Sequence, residues 1–354
     1  MTRYSIAFLP GDGIGPEVAG AARTVLEAVA RRCGFQLEFS DHPFGGAAID
    51  QTGEPLSEAT TSACLAADAV FLGAVGGPKW DNAPSRPEAG LLALRKAMNV
   101  YANLRPVSVH PELADRSPLR PEKVAGVDMV IVRELTGGIY FGERERTEDS
   151  ASDKCTYSRA EIERVARIAF EQARQRRGRL TSVDKANVLE TSRLWRETVS
   201  EMGKTDYPDI ELDHMYVDAA AMHMLREPTD FDVILTENMF GDILSDEASM
   251  LPGSIGLLGS ASLSDQRPGL FEPIHGSAPD IAGQGKANPL GAIESAAQLL
   301  DSLGEHTAAG LVRRAVEQVH AHAQWTGDLG GTLTTVEVTQ AVADAVAAPE
   351  PALG

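Results

Sequence analysis

Short apolar segments alternate with longer amphipathic segments along most of this chain. The apolar segments are typical of buried strands and occupy residues 4–9, 69–72, 129–132, 180–183 and 233–235; the amphipathic segments include 16–31, 161–177, 192–202 and 290–303. A helix that follows a strand returns the chain to the starting edge of a sheet, so this alternation favours parallel strands covered by helices. The sequence therefore predicts an α/β fold with a mainly parallel sheet.

The length of 354 residues is enough for a large core and for two domains. Glycine- and proline-rich stretches at 76–87 and 252–273 show little periodicity. Long irregular connections of this kind are typical of active-site or interdomain loops. The C-terminal residues 346–354, VAAPEPALG, predict a disordered tail.

The net charge of −19 argues against binding to nucleic acid or to an anionic membrane through the general surface. An anionic substrate would need a locally basic pocket. The cysteines Cys33, Cys64 and Cys155 are odd in number and lack C-x-x-C spacing, which argues against a disulfide framework or a zinc site. The chain enters a strand pattern at once and has no long apolar run, so we expect a cytoplasmic protein without signal peptide or membrane span.

Acidic residues occupy one face of the helix predicted after the strand in FDVILTENMFGDILSDEAS, residues 231–249. Asp242 and Asp246 lie about one helical turn apart. A second predicted helix, residues 214–225, offers Asp218. Three converging carboxylates without His or Cys would suit Mg²⁺ or Mn²⁺. A lone D-x-x-x-D pair, however, is more often a solvated pair at a helix start.

The glycine motif at residues 9–17, LPGDGIGPE, lies between a strand and a helix, where a dinucleotide fingerprint would also lie. Its spacing is G-x-G-x-G, and Pro16 takes the position of helix start, whereas the fingerprint requires G-x-G-x-x-G. The motif therefore favours a tight turn with close backbone approach over a Rossmann site.

Arginines follow apolar segments at three places. One face of the helix predicted at 88–96 carries an apolar patch that ends in a guanidinium: Glu88, Leu91, Leu92 and Arg95. Arg105 and Arg133 add two more guanidinium groups, which suit a bidentate grip on carboxylates. An arginine of this kind, taken alone, more often forms an ion pair at the surface. Arg133 is the most informative, because it terminates an apolar strand, where α/β proteins place ligand sites.

Two further side chains follow predicted strands. Tyr140 lies in the glycine-flanked segment TGGIYFG, where it could reach into a cleft, although a core or surface tyrosine is the default interpretation. Lys185 lies in VDKANV at another strand end. A lysine there can act as a base if burial and neighbouring cations lower its pKa; otherwise it is an exposed lysine.

The turn-rich segment EPIHGSAPDIAG, residues 272–283, leads with Asn288 into the helix predicted from residue 290. Such a loop can wrap a nucleotide with backbone groups. Asp280 could accept hydrogen bonds from a ribose and would repel a 2′-phosphate, which favours NAD over NADP.

Together these segments resemble the β-decarboxylating dehydrogenases, the family of isopropylmalate, isocitrate, homoisocitrate and tartrate dehydrogenases. The segments LPGDGIGPEV, GAVGGPKW, LLALRK, NLRP, VRELTGGIYFG, VDKANVLETS, FGDILSDEAS and HGSAPDIAG carry the resemblance in order over nearly the whole chain. It implies two open α/β domains with a non-Rossmann cofactor site. Residues 1–102 plus 253–354 would bind the cofactor, and residues 103–252 would bind the metal and form the dimer.

The resemblance also implies residue roles. The substrate would contact Glu88, Leu91, Leu92, Arg95, Arg105, Arg133 and Asp218. Mg²⁺ or Mn²⁺ would be held by Asp218, Asp242 and Asp246, and proton transfers would fall to Tyr140 and Lys185. NAD would contact Gly76, Gly77, Asn187, His275, Gly276, Ser277, Ala278, Pro279, Asp280, Ile281 and Asn288. Family members are homodimers, so Lys185 and Asp218 would act across the interface.

The implied reaction is NAD-dependent oxidation of a 2-hydroxy diacid with loss of CO₂. The apolar wall of Leu91 and Leu92 disfavours a third carboxylate and fits an isopropyl group, which favours 3-isopropylmalate and leucine biosynthesis. Homoisocitrate, tartrate or malate, or another 3-alkylmalate are alternatives. A non-catalytic regulatory homologue and a metal-free reductase using residues 11–15 are alternatives from other classes. Departures from the family pattern are Gly259, Lys286 and the segment 143–155.

Overall fold

A computed structural model describes residues 2–82, 84–266 and 268–348. The chain forms two compact units, Met1–Met98 with Ser254–Gly354, and Asn99–Gly253. Both units contain strands and helices, so the predicted α/β class is confirmed. None of the helices in the described ranges is long and apolar enough to cross a membrane.

The elements are numbered here in chain order. The strands are β1 (Arg3–Gly11), β2 (Gln36–Asp41), β3 (Ala69–Ala74), β4 (Ala102–Ser108), β5 (Asp128–Glu134), β6 (Arg144–Arg146), β7 (Ala151–Asp153), β8 (Arg179–Asp184), β9 (Glu211–Tyr216), β10 (Val233–Thr236), β11 (Gly259–Leu263) and β12 (Gly269–Pro273). The helices are α1 (Gly15–Cys33), α2 (Gly46–Thr52), α3 (Glu58–Ala66), α4 (Pro87–Ala97), α5 (Pro121–Val124), α6 (Arg159–Gln175), α7 (Glu190–Thr205), α8 (Val217–Arg226), α9 (Asn238–Ala248), α10 (Leu290–Leu303), α11 (His306–Ala321) and α12 (Thr335–Ala347).

The first unit joins both ends of the chain in one sheet, in the strand order β2-β1-β3-β12-β11. β1 pairs in parallel with β2 and β3, β12 pairs in parallel with β3, and β11 is antiparallel to β12. Every residue of β3 is buried, because helices cover the sheet. Helix α1 packs against α10, α11 and α12.

The second unit has the strand order β4-β5-β10-β8-β9, in which only β4 is antiparallel to its neighbour. The parallel register sets Thr236 of β10 opposite Arg133 of β5 and Val183 of β8. Asp184 of β8 in turn lies opposite Tyr216 of β9. The carboxyl ends of four neighbouring strands therefore meet at one edge, and the residues that follow them share that edge.

Three predicted segments differ from the structure. His214, Met215 and Tyr216 belong to the edge strand β9, so the helix predicted at 214–225 begins instead at Val217. The stretch 252–273, predicted as a loop, contains β11 and β12. Val346 and Ala347 of the predicted tail belong to α12, and residues 349–354 lie outside the described residues.

Candidate active site

Arg133, one residue before the end of β5, is fixed by neighbours at the carboxyl edge of the second unit. Its Nε and Nη2 donate to Oδ1 of Asn238, at 3.1 and 2.9 Å, and its Nη1 donates to Asp242. Asn238 also donates from Nδ2 to the carbonyl of Gly137, at 3.0 Å. Only 4% of Arg133 is exposed, so its guanidinium has a fixed direction.

The two acids of α9 lie against a second buried arginine. Arg105 donates from Nη1 to Oγ of Ser245 at 2.7 Å and to Oδ1 of Asp246 at 3.1 Å. Its Nη2 lies 3.9 Å from Oδ1 of Asp242. Burial raises the pKa of the Asp246 carboxyl, an effect that Arg105 opposes and Asp242 reinforces. The structure thus brings Asp242 and Asp246 together, as predicted, and places guanidinium groups beside both.

Tyr140 joins the same group of side chains. Its hydroxyl donates to Oδ2 of Asp242 at 3.0 Å, and the guanidinium of Arg133 lies 5.9 Å from the ring centroid. Burial, followed by the charge of Asp242, raises the pKa of the Tyr140 phenol. Tyr140 therefore stays protonated at neutral pH and is able to donate a proton.

Lys185 and Asp218 form a different pair. Nζ of Lys185 donates to Oδ1 of Asp218 at 2.7 Å, and this hydrogen bond lowers the pKa of Asp218. Across the described ranges, no group of three or more His, Cys, Asp and Glu side chains is placed to hold a metal ion. A single chain therefore presents Asp242 and Asp246 together, with Asp218 apart from them. The two carboxylates of α9 have the hard oxygen donors that Mg²⁺ and Mn²⁺ prefer, but they form an incomplete ligand set.

In the first unit, α4 carries the predicted face of apolar and charged side chains. Arg95 is 8% exposed; its Nη2 donates to Oε1 of Glu272 at 2.6 Å, while its buried Nε has no hydrogen-bond partner. Leu91 and Leu92 are half-buried and Glu88 is exposed. The face thus offers an apolar surface one turn before an arginine with an unused donor.

The residues predicted near the nicotinamide lie in a turn held by a carboxylate that the sequence analysis missed. Asp12 is 3% exposed and accepts hydrogen bonds from the backbone amides of Gly46, Ala47 and Gly76, at 2.8, 2.8 and 2.9 Å. A Cβ on Gly76 would lie 2.6 Å from Oε1 of Glu88. Gly77, the next residue, is half-buried. An acid between two glycines at a strand end was the available signal for Asp12.

The glycine motif between β1 and α1 supports the predicted cofactor loop. The amide of Ile14 donates to the carbonyl of Ser277 at 2.8 Å, and a Cβ on Gly13 would lie 2.0 Å from that oxygen. A Cβ on Gly11 would lie 1.9 Å from the carbonyl oxygen of Ala74. The predicted tight turn with close backbone approach is confirmed.

His275 gives the cofactor loop an unpaired polar atom. It is 8% exposed; its Nδ1 hydrogen-bonds to the carbonyl of Gly276 at 2.9 Å, whereas its Nε2 has no partner. Burial lowers the pKa of the imidazole, so the ring is neutral. A Cβ on Gly276 would meet no atom within 4 Å, so the backbone there is open. This combination fits a polar ligand such as a nucleotide.

The remaining predicted cofactor residues differ in exposure. Asn288 is buried and donates to Asp328 at 3.0 Å. The others are buried Ser277, half-buried Ala278 and Ile281, and exposed Pro279, Asp280 and Asn187.

The isocitrate/isopropylmalate dehydrogenase family matches residues 5–346. The chain belongs to this family. The 3-isopropylmalate dehydrogenase of Salinibacter ruber is 62% identical over 89% of this chain and 86% of that protein. The 3-isopropylmalate dehydrogenase of Priestia megaterium is 56% identical over 97% of this chain and 96% of that protein. The resemblance found in the sequence is thus confirmed, and the chain is an oxidoreductase of the isocitrate/isopropylmalate dehydrogenase family.

Solved structures of this family agree with the fold. The isocitrate dehydrogenase of Methylococcus capsulatus is 37% identical, with a TM-score of 0.88 over 98% of this chain and all of the other. A β-decarboxylating dehydrogenase from Thermococcus kodakarensis is 38% identical, with a TM-score of 0.80 over 97% of this chain and 96% of the other.

Proposed function

We propose that this chain catalyses the NAD-dependent oxidative decarboxylation of (2R,3S)-3-isopropylmalate to 4-methyl-2-oxopentanoate and CO₂, in leucine biosynthesis. The observation that carries the proposal is the face of α4, where half-buried Leu91 and Leu92 precede Arg95 and its unpartnered Nε. This face offers an apolar contact for an alkyl group next to a donor for a carboxylate. Relatives at 52–62% identity are named 3-isopropylmalate dehydrogenase.

Arg95, Arg105 and Arg133 bind the two substrate carboxylates in this proposal. All three are at most 8% exposed and are already hydrogen-bonded in fixed directions. Because their side chains are ordered in advance, little conformational entropy is lost when the diacid binds. A substrate with a third carboxylate would place that charge against Leu91 and Leu92, which costs several kcal/mol when it is left unpaired.

Asp242 and Asp246 bind Mg²⁺ or Mn²⁺ in this proposal, together with Asp218 from a second copy of the chain, which also contacts the substrate. When bound, the metal ion supplies Lewis-acid stabilisation of negative charge on substrate oxygens, and NAD⁺ supplies the hydride acceptor. Lys185, also from the second copy, accepts the proton of the C2 hydroxyl. Tyr140 donates a proton to the substrate carbon from which CO₂ has left, a role supported by the place of its hydroxyl, 3.0 Å from Oδ2 of Asp242.

The cofactor is assigned to residues 1–102 plus 253–354, which contain the first unit. His275, through its unpartnered Nε2, and the open backbone at Gly276 bind the adenosine half of NAD. The exposed carboxylate of Asp280 accepts hydrogen bonds from the ribose hydroxyls. Gly76, Gly77 and Glu88 lie at the nicotinamide end. Asn187 of the other unit also contacts the cofactor.

A homodimer is supported by exposed apolar side chains in the second unit, residues 103–252 in this proposal. Met222 of α8 is 67% exposed and Ile243 of α9 is 58% exposed, and these helices pack against each other. Leu225 and Met250 are also exposed. A second copy that covers this surface would bury it, which favours a two-fold pairing. The free cysteines Cys33, Cys64 and Cys155 support a reducing cytoplasm.

The test is a substrate panel with the purified chain, NAD⁺ and Mn²⁺. We expect the highest kcat/KM for 3-isopropylmalate, lower values for homoisocitrate, tartrate and malate, and loss of turnover in EDTA. Highest activity on homoisocitrate or tartrate would refute the substrate assignment. Full activity in EDTA would refute the metal assignment.

A further inference from the structure

Two glutamates and a tyrosine are buried together in the second unit. Glu134 ends β5 and Glu237 immediately precedes α9; they are 0% and 8% exposed, and Tyr157 is 7% exposed. The hydroxyl of Tyr157 lies 3.1 Å from Oε2 of Glu134 and 3.3 Å from Oε2 of Glu237. It also accepts a hydrogen bond from the backbone amide of Asn238, at 3.0 Å. No role has so far been given to these three side chains.

The number of protons decides how the cluster is bonded. A tyrosine hydroxyl has a single hydrogen, so it can donate to one of the two carboxyl groups but not to both. If both glutamates were ionised, one carboxylate oxygen would face the hydroxyl oxygen with no hydrogen between them, in a buried site where such repulsion is poorly screened. A proton on one of the two glutamates removes this repulsion and supplies the missing hydrogen.

The hydrogen-bond donors around each carboxyl group distinguish the two glutamates. Oε1 of Glu134 accepts from the amide and the hydroxyl of Thr136, at 2.9 and 3.1 Å, and Oε2 accepts from the amide of Gly137 at 2.9 Å. The cation of Arg164 lies 3.8 Å from Oε1. Burial raises the pKa of the Glu134 carboxyl, and the hydrogen bonds from Thr136 and Gly137 oppose that shift by stabilising the ionised form. Glu237 is bonded differently: its side chain accepts from the backbone amides of Phe240, at 2.7 Å, and Met239, and its Oε2 lies against Tyr157.

We propose that Glu237 is held as a neutral acid and is a positioning residue of the active site: its carboxyl donates to Tyr157, whose hydroxyl donates to ionised Glu134. Burial raises the pKa of Glu237, and the charge of Glu134 acts in the same direction. The phenol of Tyr157 has a raised pKa for the same reasons, so it keeps its hydrogen.

This relay connects the elements that hold the proposed substrate and proton donor. Glu134 fixes the amides that begin the segment leading to Tyr140. Glu237 caps α9, which carries Asp242 and Asp246. Asn238, whose amide donates to Tyr157, holds the guanidinium of Arg133. The inference rests on the proposed function for its kinetic consequences, but the position of the proton can be tested independently.

Several ionisable groups face the relay from neighbouring elements. Tyr140 and Cys155 lie near enough to Glu237 that an ionised Glu237 would raise the pKa of both. A cavity of about 10 Å³, room for roughly one water molecule, touches Glu237, Tyr157 and Asp184. The carboxylate of Asp184 is paired with Arg196, so Asp184 does not compete for the shared proton.

The kinetic test compares two conservative substitutions. In Glu237→Gln an amide NH₂ replaces the acid as donor to Tyr157 and the amide oxygen still accepts from Phe240, so kcat/KM for isopropylmalate should stay within about threefold of wild type. In Glu134→Gln an amide NH₂ faces a backbone N–H or the Tyr157 hydroxyl, so kcat/KM should fall about tenfold or more, with the KM for NAD⁺ little changed. Tyr157→Phe should resemble Glu134→Gln.

The pH dependence of stability tests where the proton lies, independently of activity. Because the pKa of Glu237 is raised in the folded state, its stabilising contribution is present at low pH and is lost as the pH rises through the folded pKa. The melting temperature of Glu237→Gln should therefore fall less than that of wild type as the pH rises above the ordinary pKa range of a glutamate. Glu294, whose pKa burial raises to about 7, titrates in the first unit, so Glu294→Gln is the matched control. It should change the pH profile of the melting temperature and leave kcat/KM unchanged.

Each outcome decides the proposal. Equal damage from the two glutamine substitutions would overturn it, and so would a mild Glu134→Gln with a severe Glu237→Gln, which would put the proton on Glu134. Identical pH profiles of melting temperature for wild type and Glu237→Gln would also overturn it. If wild type proves inactive on isopropylmalate, the proposed function fails, while the melting profiles still report where the proton lies.

Discussion

Three arginines are fixed before any ligand arrives, and each has a different acceptor. Arg95 is held by Glu272, Arg105 by Asn103 and Ser245, and Arg133 by Asn238. Neutral amide and hydroxyl acceptors fix direction without cancelling the positive charge. Arg105 and Arg133 also pair with the carboxylates of Asp246 and Asp242, so part of their positive charge is balanced within the chain.

Substrate choice is tested by Leu91→Ala. The change removes apolar contact worth about 1.4 kcal/mol, so kcat/KM for isopropylmalate should fall about tenfold and preference should relax toward smaller 3-alkylmalates. The control is Leu65→Ala, an exposed leucine on α3. Unchanged kinetics with both kinds of substrate would contradict the proposed pocket.

The proton acceptor is tested by Lys185→Met, which keeps the length of the side chain and removes the amine. A lost general base slows turnover roughly 10²–10⁴-fold, so kcat should fall by that factor while the KM for NAD⁺ changes little. Lys154→Met, which breaks an exposed pair with Glu143, is the matched control. Near-normal turnover in Lys185→Met would remove the base assignment.

The sequence analysis singled out Arg105 and Arg133 after apolar segments, Asp242 and Asp246 by helical spacing and Tyr140 between glycines, because such patterns are visible in a linear sequence. It did not predict the residues that hold these side chains in place. Asn238 and Glu237 also follow a strand, but whether such a residue holds an arginine, caps a helix or faces solvent depends on tertiary neighbours. Asp12 is missed for the same reason, since its three amide donors come from distant turns.

At the scale of elements, the sequence predicts best those helices and strands that carry clear local signals. Helix α6 begins with a capping box of Ser158 and Glu161, so nearby residues alone indicate where it starts. Helix α8 has no side-chain cap at Tyr216, and the strand before it, β9, exists through pairing with β8. Non-local pairing likewise turns small residues into β11, where a Cβ on Gly259 would lie 2.5 Å from the amide of Ser295.

The contact between the first turn and the cofactor loop is tested by two glycine substitutions. Gly13→Ala introduces a Cβ 2.0 Å from the carbonyl oxygen of Ser277 at a φ of +58°, so we expect a loss of about 2 kcal/mol or more in stability and a higher KM for NAD⁺. Calorimetry and kinetics measure both effects. Unchanged NAD⁺ kinetics would mean that this turn does not support the cofactor loop.

The matched control lies in the same region of the chain. Gly20 is inside α1, and a Cβ there meets no atom within 4 Å. Gly20→Ala should therefore stabilise the chain by about 0.5–1 kcal/mol through higher helix propensity, with unchanged KM for NAD⁺.

At the scale of the whole molecule, both chain ends fold into one unit. Ala69 of β3 pairs with Gly269 of β12, and α1 packs against α12 near the C-terminus. Local periodicity predicted β3 and α1 but not β12 or α12, and it carries no information about which distant strand pairs with which. The residue pattern alone therefore predicted the α/β class, while the arrangement of the strands follows only from the structure.

Sharing of residues between two copies of the chain is the prediction for the assembly. Lys185→Ala and Arg133→Ala are each expected to be inactive. When the two variants are mixed and allowed to exchange, half of the dimers are mixed, and each mixed dimer has one intact site of two, so about a quarter of wild-type activity should return. The control mixes Arg105→Ala with Arg133→Ala, whose side chains both contact Asp242 in one chain and so cannot complement each other. Recovery in the first mixture and none in the second requires that Lys185 serves the other copy's arginines. Absence of recovery in both, with subunit exchange verified by a tag, would show that each chain is catalytically self-contained.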